Sequence, residues 1–345
     1  MLVRDLVAGD IADLRVEAAG AYELLIELSA LDHRRASAGL REAIARVGDG
    51  SGEVWLHLLG LATETAAPRD AAGLLAHLEA TDPLELRRQL LGADVPAWRR
   101  YVEPAVILAA AEGDQAAQAR LLADPRYYGG SARKALAVLL PLDPAETRRR
   151  LLAVLRGWHQ ESFAAREGAT VRELAEDAGA AAELAASVPP RRLIELVTGG
   201  FAYEPEAECP RVLLIPHLAA RPWLLLCQHR DTRLICYPAR PDVDDRAATA
   251  EGALRLGRAL ADGQRLRILD ALAAGPRDLD QLAGALGLAR STVHHHLALL
   301  RAAGLVGLAG NARRYRYGLR RDAVGEATTL LAALLRAPAT TEEEP

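Results

Sequence analysis

From about residue 17 to 200, apolar residues recur at three- and four-residue spacing, with Leu and Ala carrying most of the pattern. The segments Glu23 to Leu31, Ser37 to Val47, Asp70 to Leu78, Ser131 to Leu140 and Ala145 to Trp158 each gather these residues on one face of a helix, so the spacing predicts amphipathic helices. Pro68, Pro83, Pro96, Pro104, Pro125, Pro141, Pro144 and the pair Pro189-Pro190 punctuate the segments. No fixed period relates one segment to the next, which argues against a solenoid.

After Gly199-Gly200 the pattern shortens. Arg211 to Ile215 is a compact apolar run, and Trp223 to Gln228 and Arg233 to Tyr237 flank the polar His229-Arg230-Asp231-Thr232, which predicts a β-hairpin. Residues 238–249 hold Pro238, Pro241, Asp242, Asp244 and Asp245 and read as a linker. The acids there suit a solvated connection better than a cation site.

A new order begins at about residue 250. One helix covers 250–261, and a second, with Leu266, Leu269 and Leu272 as its apolar stripe, ends near Gly275-Pro276. A third opens at Asp278, with Gln281 three residues on, the pattern of a capping box, and Gly287 closes it. The segment Ala289 to Ala303 then divides sharply at about 100° per residue. Val293, His296, Leu297 and Leu300 share one side, while Arg290, Ser291, His294, His295, Ala298 and Arg301 fill the other. Leu305 to Leu308 and Arg313 to Leu319 alternate around Ala309-Gly310-Asn311-Ala312 as a hairpin, and a last helix spans 322–336. Helix, turn, helix and arginine-rich hairpin are the parts of a winged helix-turn-helix, whose second helix enters the major groove of duplex DNA.

The expected fold is therefore mainly α (α+β). A large helical domain, residues 1–245 with a β-hairpin near 211–237, precedes a winged helix-turn-helix at 250–336 and a disordered acidic tail at 337–345. Charge changes this picture in one respect. The net charge of −4 conceals 13 arginines against 6 acidic side chains between Gly252 and Arg336, a basic block on an acidic body. Only 4% of the residues are aromatic, so the core must be built from Leu, Ala and Val. Three cysteines, no signal peptide and no long apolar run lead to the expectation of a cytoplasmic protein with reduced thiols and no membrane contact.

Residues 254–320 resemble the ArsR/SmtB winged-helix transcription regulators. The resemblance is carried by Leu260 to Leu269 (LADGQRLRIL), Gln281 to Leu288 (QLAGALGL), Ser291 to Leu297 (STVHHHL), Leu300 to Val306 (LRAAGLV) and the wing Arg313 to Tyr317 (RRYRY). More loosely, Arg221-Pro-Trp223 and Tyr237-Pro-Ala-Arg240 resemble the long N-terminal domain of actinobacterial-type members. The resemblance implies a homodimer paired through the helices at 250–261 and 322–336, and a repressor released by a small-molecule or protein effector. Two departures stand out. Asp278 and Asp280 occupy the family's thiolate positions, and the last helix offers Asp322 and Glu326 but no His. Metal sensing through either family site is not expected, and no cofactor or catalytic residue is assigned.

The candidate DNA-contacting residues are Arg290, Ser291, Thr292, His294, His295 and Arg301 on the reading helix, with Asn311, Arg313, Arg314 and Arg316 on the wing. Arginine bonds a guanine edge in two places, and hydroxyls at a helix start suit phosphate. Three successive histidines cannot close on one ion, because neighbours on a helix diverge; His296 reads as packed and hydrogen-bonded. Tyr315 and Tyr317 are expected to point inward by alternation. Two other readings stay open. In one, Cys227, His229 and Cys236, with Cys209 and His217 nearby in sequence, form a thiol or metal sensor. In the other, the protein is a ligand-binding protein or enzyme, Trp55, Trp98, Tyr101 and Trp158 line its pocket, and the winged helix makes only protein contacts.

Overall fold

A computed structural model describes residues 11–30, 36–48, 52–95, 102–124, 132–239, 245–311, 314–320 and 323–334. The chain forms two compact units, 1–188 with 205–239 and 189–204 with 240–345. In chain order the elements up to the middle of the chain are β1 (Asp13–Val16), α1 (Gly20–Ala30), α2 (Ala38–Val47), α3 (Gly52–His57), α4 (Leu59–Ala62), α5 (Ala71–Ala80), α6 (Pro83–Leu90), α7 (Pro104–Glu112), α8 (Gln115–Ala123), α9 (Ala132–Leu139), α10 (Pro144–Trp158), a π-helical turn at His159–Phe163, and α11 (Glu167–Ala185). There follow α12 (Pro190–Val197), β2 (Phe201–Tyr203), β3 (Arg211–His217), β4 (Leu225–His229) and β5 (Thr232–Pro238). The chain then runs through α13 (Asp245–Leu260), α14 (Gly263–Ala273), α15 (Leu279–Leu286), α16 (Arg290–Ala302), β6 (Val306–Gly310), β7 (Tyr315–Leu319) and α17 (Ala323–Leu334). Helices dominate, as the spacing predicted.

The helix starts follow from local chemistry. Asp70, Asp82, Asp114 and Asp143 each sit one residue before a helix and accept backbone N–H groups of its first turn at 2.7–3.0 Å. Pro83, Pro104, Pro144 and Pro190 occupy first-turn positions, where a missing N–H costs nothing. Several of the prolines that punctuate the sequence are thus initiators of helices.

In the first unit α1 is buried almost all round: Leu24, Leu25 and Ile26 are inaccessible, each contributing roughly 1.5–3 kcal/mol by leaving water. Trp55 and Trp158 are buried in the same core, so they fill it and do not line a pocket; Trp98 and Tyr101 lie outside the described residues. Polar anchors tie the helices together. Arg87 on α6 donates to Thr147 Oγ1 at 2.9 Å and to the carbonyls of Ala111 and Leu142. Gln118 on α8 donates to the carbonyls of Ala110 and Leu140 at 3.1 and 2.9 Å. Buried groups of this kind are tolerable only because they are bonded.

The sheet of this unit has the order β1-β3-β5-β4. The expected hairpin is present as the antiparallel pair β4–β5, but β5 also pairs in parallel with β3, and β3 in parallel with β1. The apolar run at 211–217 is therefore a central strand, buried from Val212 to His217, which explains its lack of alternation. Strand β1 has no such run and gave no sequence signal.

The second unit differs from the expected boundary. Residues 189–204, counted by pattern with the first domain, belong with the C-terminal module. Strand β2 pairs in parallel with β6, making a three-stranded sheet β2-β6-β7. Phe201-Ala-Tyr203 is too short a segment for periodicity to mark. In α14, Ile268 and Leu272 are buried while Leu266 is 48% exposed, so the expected stripe is rotated away from Leu266. The linker centre at 240–244 and the tail at 335–345 lie outside the described residues, and α13 begins earlier than the spacing suggested.

Candidate DNA-binding surface

The second unit builds its reading helix from three local decisions. Asp278 Oδ1 accepts the Gln281 N–H at 2.8 Å while Gln281 Oε1 accepts the Asp278 N–H at 3.1 Å, the reciprocal capping box that starts α15. Gly287 ends it in the left-handed region at φ 65°, where a side chain would be strained. Three residues later α16 begins with Ala289 at its N-cap. Alanine supplies no capping oxygen, so the first-turn N–H groups of α16, at the positive end of its dipole, receive no side-chain cap.

Helix α16 packs against α13, α14, α15 and β6. Val293, Leu297 and Leu300 are fully buried, as the helical wheel requires. Ala298 is buried as well, contrary to its place on the polar arc. Arg290, Ser291, Thr292, His294 and His295 are exposed and form one continuous surface from the start of the helix. Although its surface is exposed, desolvation by the surrounding side chains, with Arg301 and His295 nearby, holds the His294 imidazole below the usual histidine range and favours its neutral form.

Two residues of this helix depart from expectation. Arg301 is half-buried, its Nε enclosed without a hydrogen-bond partner among the described residues. Burial lowers its pKa, while the hydroxyls of Tyr317 and Tyr315 work in the opposite sense. It therefore faces the base of the wing and stands apart from the exposed set. His296 is half-buried as placed, but its Nδ1 is enclosed without a hydrogen-bond partner among the described residues.

On the wing, Asn311 turns the hairpin. Its N–H donates to the Arg314 carbonyl at 2.9 Å and its Oδ1 accepts the Arg314 N–H at 3.2 Å. Gly310, at φ 131°, has no room for a Cβ, which would fall 2.0 Å from the Arg314 carbonyl oxygen. Arg314 and Arg316 are exposed, Tyr317 is buried and Tyr315 half-buried, with their rings edge-on at 5.8 Å. Arg313 lies outside the described residues.

The possible sensor residues sit in the first unit. The β4–β5 register sets Cys227 opposite Leu234, Leu225 opposite Cys236 and His229 opposite Thr232, so Cys227, His229 and Cys236 do share a face. They do not form a metal-binding group. His229 Nε2 lies 2.9 Å from Glu64 Oε1, and His217 Nε2 lies 3.0 Å from the Trp223 carbonyl. Burial pushes the Cys227 thiol up to about 12 and Cys236 well above the ordinary range, so both are protonated and poorly nucleophilic. Cys209 accepts from Arg233 Nη2 at 3.7 Å. Among the described residues no cluster of His, Cys, Asp or Glu is placed to hold a metal ion, and no helix is long and apolar enough to cross a membrane.

Residues 262–307 match the model of the bacterial regulatory protein arsR family. This segment belongs to the ArsR family. The HTH-type transcriptional regulator CmtR of Mycobacterium tuberculosis (strain ATCC 25618 / H37Rv) is 54% identical over 65 residues, 19% of this chain and 55% of the relative. The HTH-type transcriptional regulator Rv0324 of the same strain is 37% identical over 93 residues, 27% of this chain and 39% of the relative. The chain thus spans about half the length, or less, of the curated relatives it matches. Among solved structures, a homodimeric winged helix-turn-helix DNA-binding domain (fragment 1–100) of Mb0332 from Mycobacterium bovis is 32% identical. That match covers 27% of this chain and 88% of that chain, with a TM-score of 0.23. NolR from Sinorhizobium fredii is 30% identical, covering 29% and 99%, with a TM-score of 0.22. The ArsR-family segment contains α14, α15, α16 and the start of β6, and so includes the exposed residues of α16 but not Arg314 and Arg316.

Proposed function

We propose that this protein is a homodimeric, sequence-specific DNA-binding repressor of the ArsR family. In this reading α16 enters the major groove, and the wing holds the adjacent backbone. The observation that carries it is the exposed run Arg290, Ser291, Thr292, His294 and His295 on a helix braced by Val293, Leu297 and Leu300. Arg290 and His294 are assigned to base edges, Ser291, Thr292 and the open N-terminus of α16 to phosphate, and Arg314 and Arg316, with Arg313, to the backbone beyond. The dimer is assigned to α13 and α17, which pack against each other and leave Leu254 and Leu331 exposed.

The first unit is assigned to effector or partner binding that modulates operator affinity. Chain connectivity supports this: residues 189–204 belong to the second unit, while the chain on both sides of them belongs to the first. A cavity of about 250 Å³ in the first unit, lined by Arg15, Arg69, Arg211, Glu17 and His229 among others, offers a polar enclosure for a small ligand.

The test is selection of duplexes from a random library by the full-length protein. The expected result is enrichment of a two-fold symmetric sequence with half-sites about one helical turn apart. A library that stays random after repeated rounds contradicts the assignment.

A further inference from the structure

A hairpin wing is a weak structure by itself: two strands with an open edge are marginally stable in water. Here the edge of β6 is covered by a strand from far upstream. Phe201 pairs with Leu308, Ala202 with Ala309 and Tyr203 with Gly310. The Leu308 N–H donates to the Gly200 carbonyl at 3.0 Å, and the Glu204 N–H donates to the Gly310 carbonyl at 2.7 Å. Phe201 and Tyr203 are buried, at 0% and 3% exposure, while Ala202 between them is exposed. Their rings lie 5.8 Å apart. The strand is itself held at its start: Thr198 Oγ1 accepts the Phe201 N–H at 3.1 Å, and α12, with Leu193 and Ile194 buried, packs against it.

We infer that β2 is the wing-positioning strand, with Phe201 and Tyr203 as its positioning residues, so that backbone contact by Arg314 and Arg316 depends on a segment about 100 residues upstream of the wing in the chain. Neither aromatic residue touches DNA in this account; each acts through β6. The row Ala202, Ala309 and Arg316 runs across the exposed face of the sheet, so the tilt of β2 sets the direction in which Arg316 projects. The ArsR-family segment ends at residue 307, on β6, and contains neither β2 nor β7. The third strand, β2, thus comes from outside the matched segment. The inference rests on the proposed reading of 306–319 as a DNA-contacting wing.

The experiment uses full-length Phe201→Ala and Glu204→Pro, with Phe201→Leu as the conservative control, on the selected duplex and on a scrambled one across a salt series. The expected result for Phe201→Ala and Glu204→Pro is a slope of log Kd against log salt reduced by about one to two, as one or two phosphate contacts are lost. The preference for the selected over the scrambled duplex, which α16 sets, is retained. Phe201→Leu restores the slope. Amide exchange at Leu308 accelerates in Glu204→Pro while exchange in α14 to α16 does not. Glu204→Pro removes one backbone donor without disturbing a packed side chain, so it decides the matter if Phe201→Ala does not fold. An unchanged slope in Glu204→Pro overturns the inference, as does loss of sequence preference together with slope, which would make β2 a support of the whole module. Absence of salt-sensitive binding by the unaltered protein overturns the underlying reading, and is distinguished because the variants are then not needed.

Discussion

The guanidinium of Arg290, the first residue of α16, pairs with Asp280 on α15, Nε to Oδ1 3.1 Å. Both side chains are about two-thirds exposed, at 66% and 68%, so the pair stabilises the fold by at most about 1 kcal/mol. Its importance lies in what it occupies: Asp280 holds the arginine assigned to a base edge and places a negative charge on the surface proposed to meet DNA.

Replacing that carboxylate frees Arg290 and removes a repulsion. Asp280→Asn is expected to tighten binding to the selected duplex by roughly two- to fivefold, the equivalent of one exposed pair. Fluorescence anisotropy titration measures it; weaker binding by the variant would remove Arg290 from the interface.

Helices α13 and α17 pack against each other, and they leave Leu254 and Leu331 56% and 45% exposed. Apolar side chains left uncovered on adjacent helices suit a partner surface. The double variant Leu254→Glu, Leu331→Glu is expected to run at half the mass of the unaltered protein in light scattering and to lose operator affinity. A species of unchanged mass would place the dimer contact elsewhere.

In the first unit Arg233 on β5 holds Glu206 in a buried ion pair, Nη2 to Oε2 2.6 Å, with the side chains 4% and 1% exposed. Removing the acid leaves an arginine buried without its counter-charge. Glu206→Ala is expected to cost about 3–5 kcal/mol of stability, read from urea unfolding. A loss below about 1 kcal/mol would show that the pair is dispensable.

Two buried groups set opposing pH dependences. Burial pushes the His217 imidazole down from 6.5 to about 4, despite the bond to the Trp223 carbonyl. The unfolded chain therefore binds more protons than the native one in that window; stability is complete above 6.5 and is lost as pH falls toward 4. Glu23 is pushed up from 4.5 to about 7 by burial, opposed by the N–H groups of Ala219 and Leu218. Its effect is reversed: the native state keeps the proton, and stability present below 4.5 is lost as pH rises to 7. Glu23→Gln, which keeps an acceptor for those N–H groups, should gain about 3 kcal/mol on the unaltered protein between pH 4.5 and 7. Burial also pushes the His57 imidazole down to about 4, so His217→Gln should lose only part of the acid-side decline. Parallel stability curves for Glu23→Gln and the unaltered protein would refute the Glu23 assignment.

The sequence made the second unit legible because each local choice agrees with the next. Asp278 with Gln281, Gly287, and the buried trio Val293, Leu297 and Leu300 all point to the same helices, and alternation at 313–319 sets Arg316 outward and Tyr317 inward. Arg301 was less legible. Spacing puts it on the polar side, but the tyrosines that enclose it lie on the wing, and only the tertiary fold brings them together. The same holds for β2, where three residues are too few to show a period, and for β1, whose pairing with β3 joins residues about 200 positions apart. The shared face of Cys227, His229 and Cys236 was readable from hairpin register. The Glu64 carboxylate that binds His229 was not, since it comes from a distant helical region.

The central claim concerns the exposed face of α16, and the most direct measurement is the affinity of full-length protein for the selected and scrambled duplexes at one salt concentration. It is made with and without Arg290→Ala and His294→Ala. Each substitution is expected to weaken binding to the selected duplex by about 1–3 kcal/mol, roughly 5- to 150-fold, with Arg290→Ala and His294→Ala leaving the scrambled duplex nearly unaffected. Equal affinities for the two duplexes, or variants that bind the selected sequence as tightly as the unaltered protein, would contradict the account.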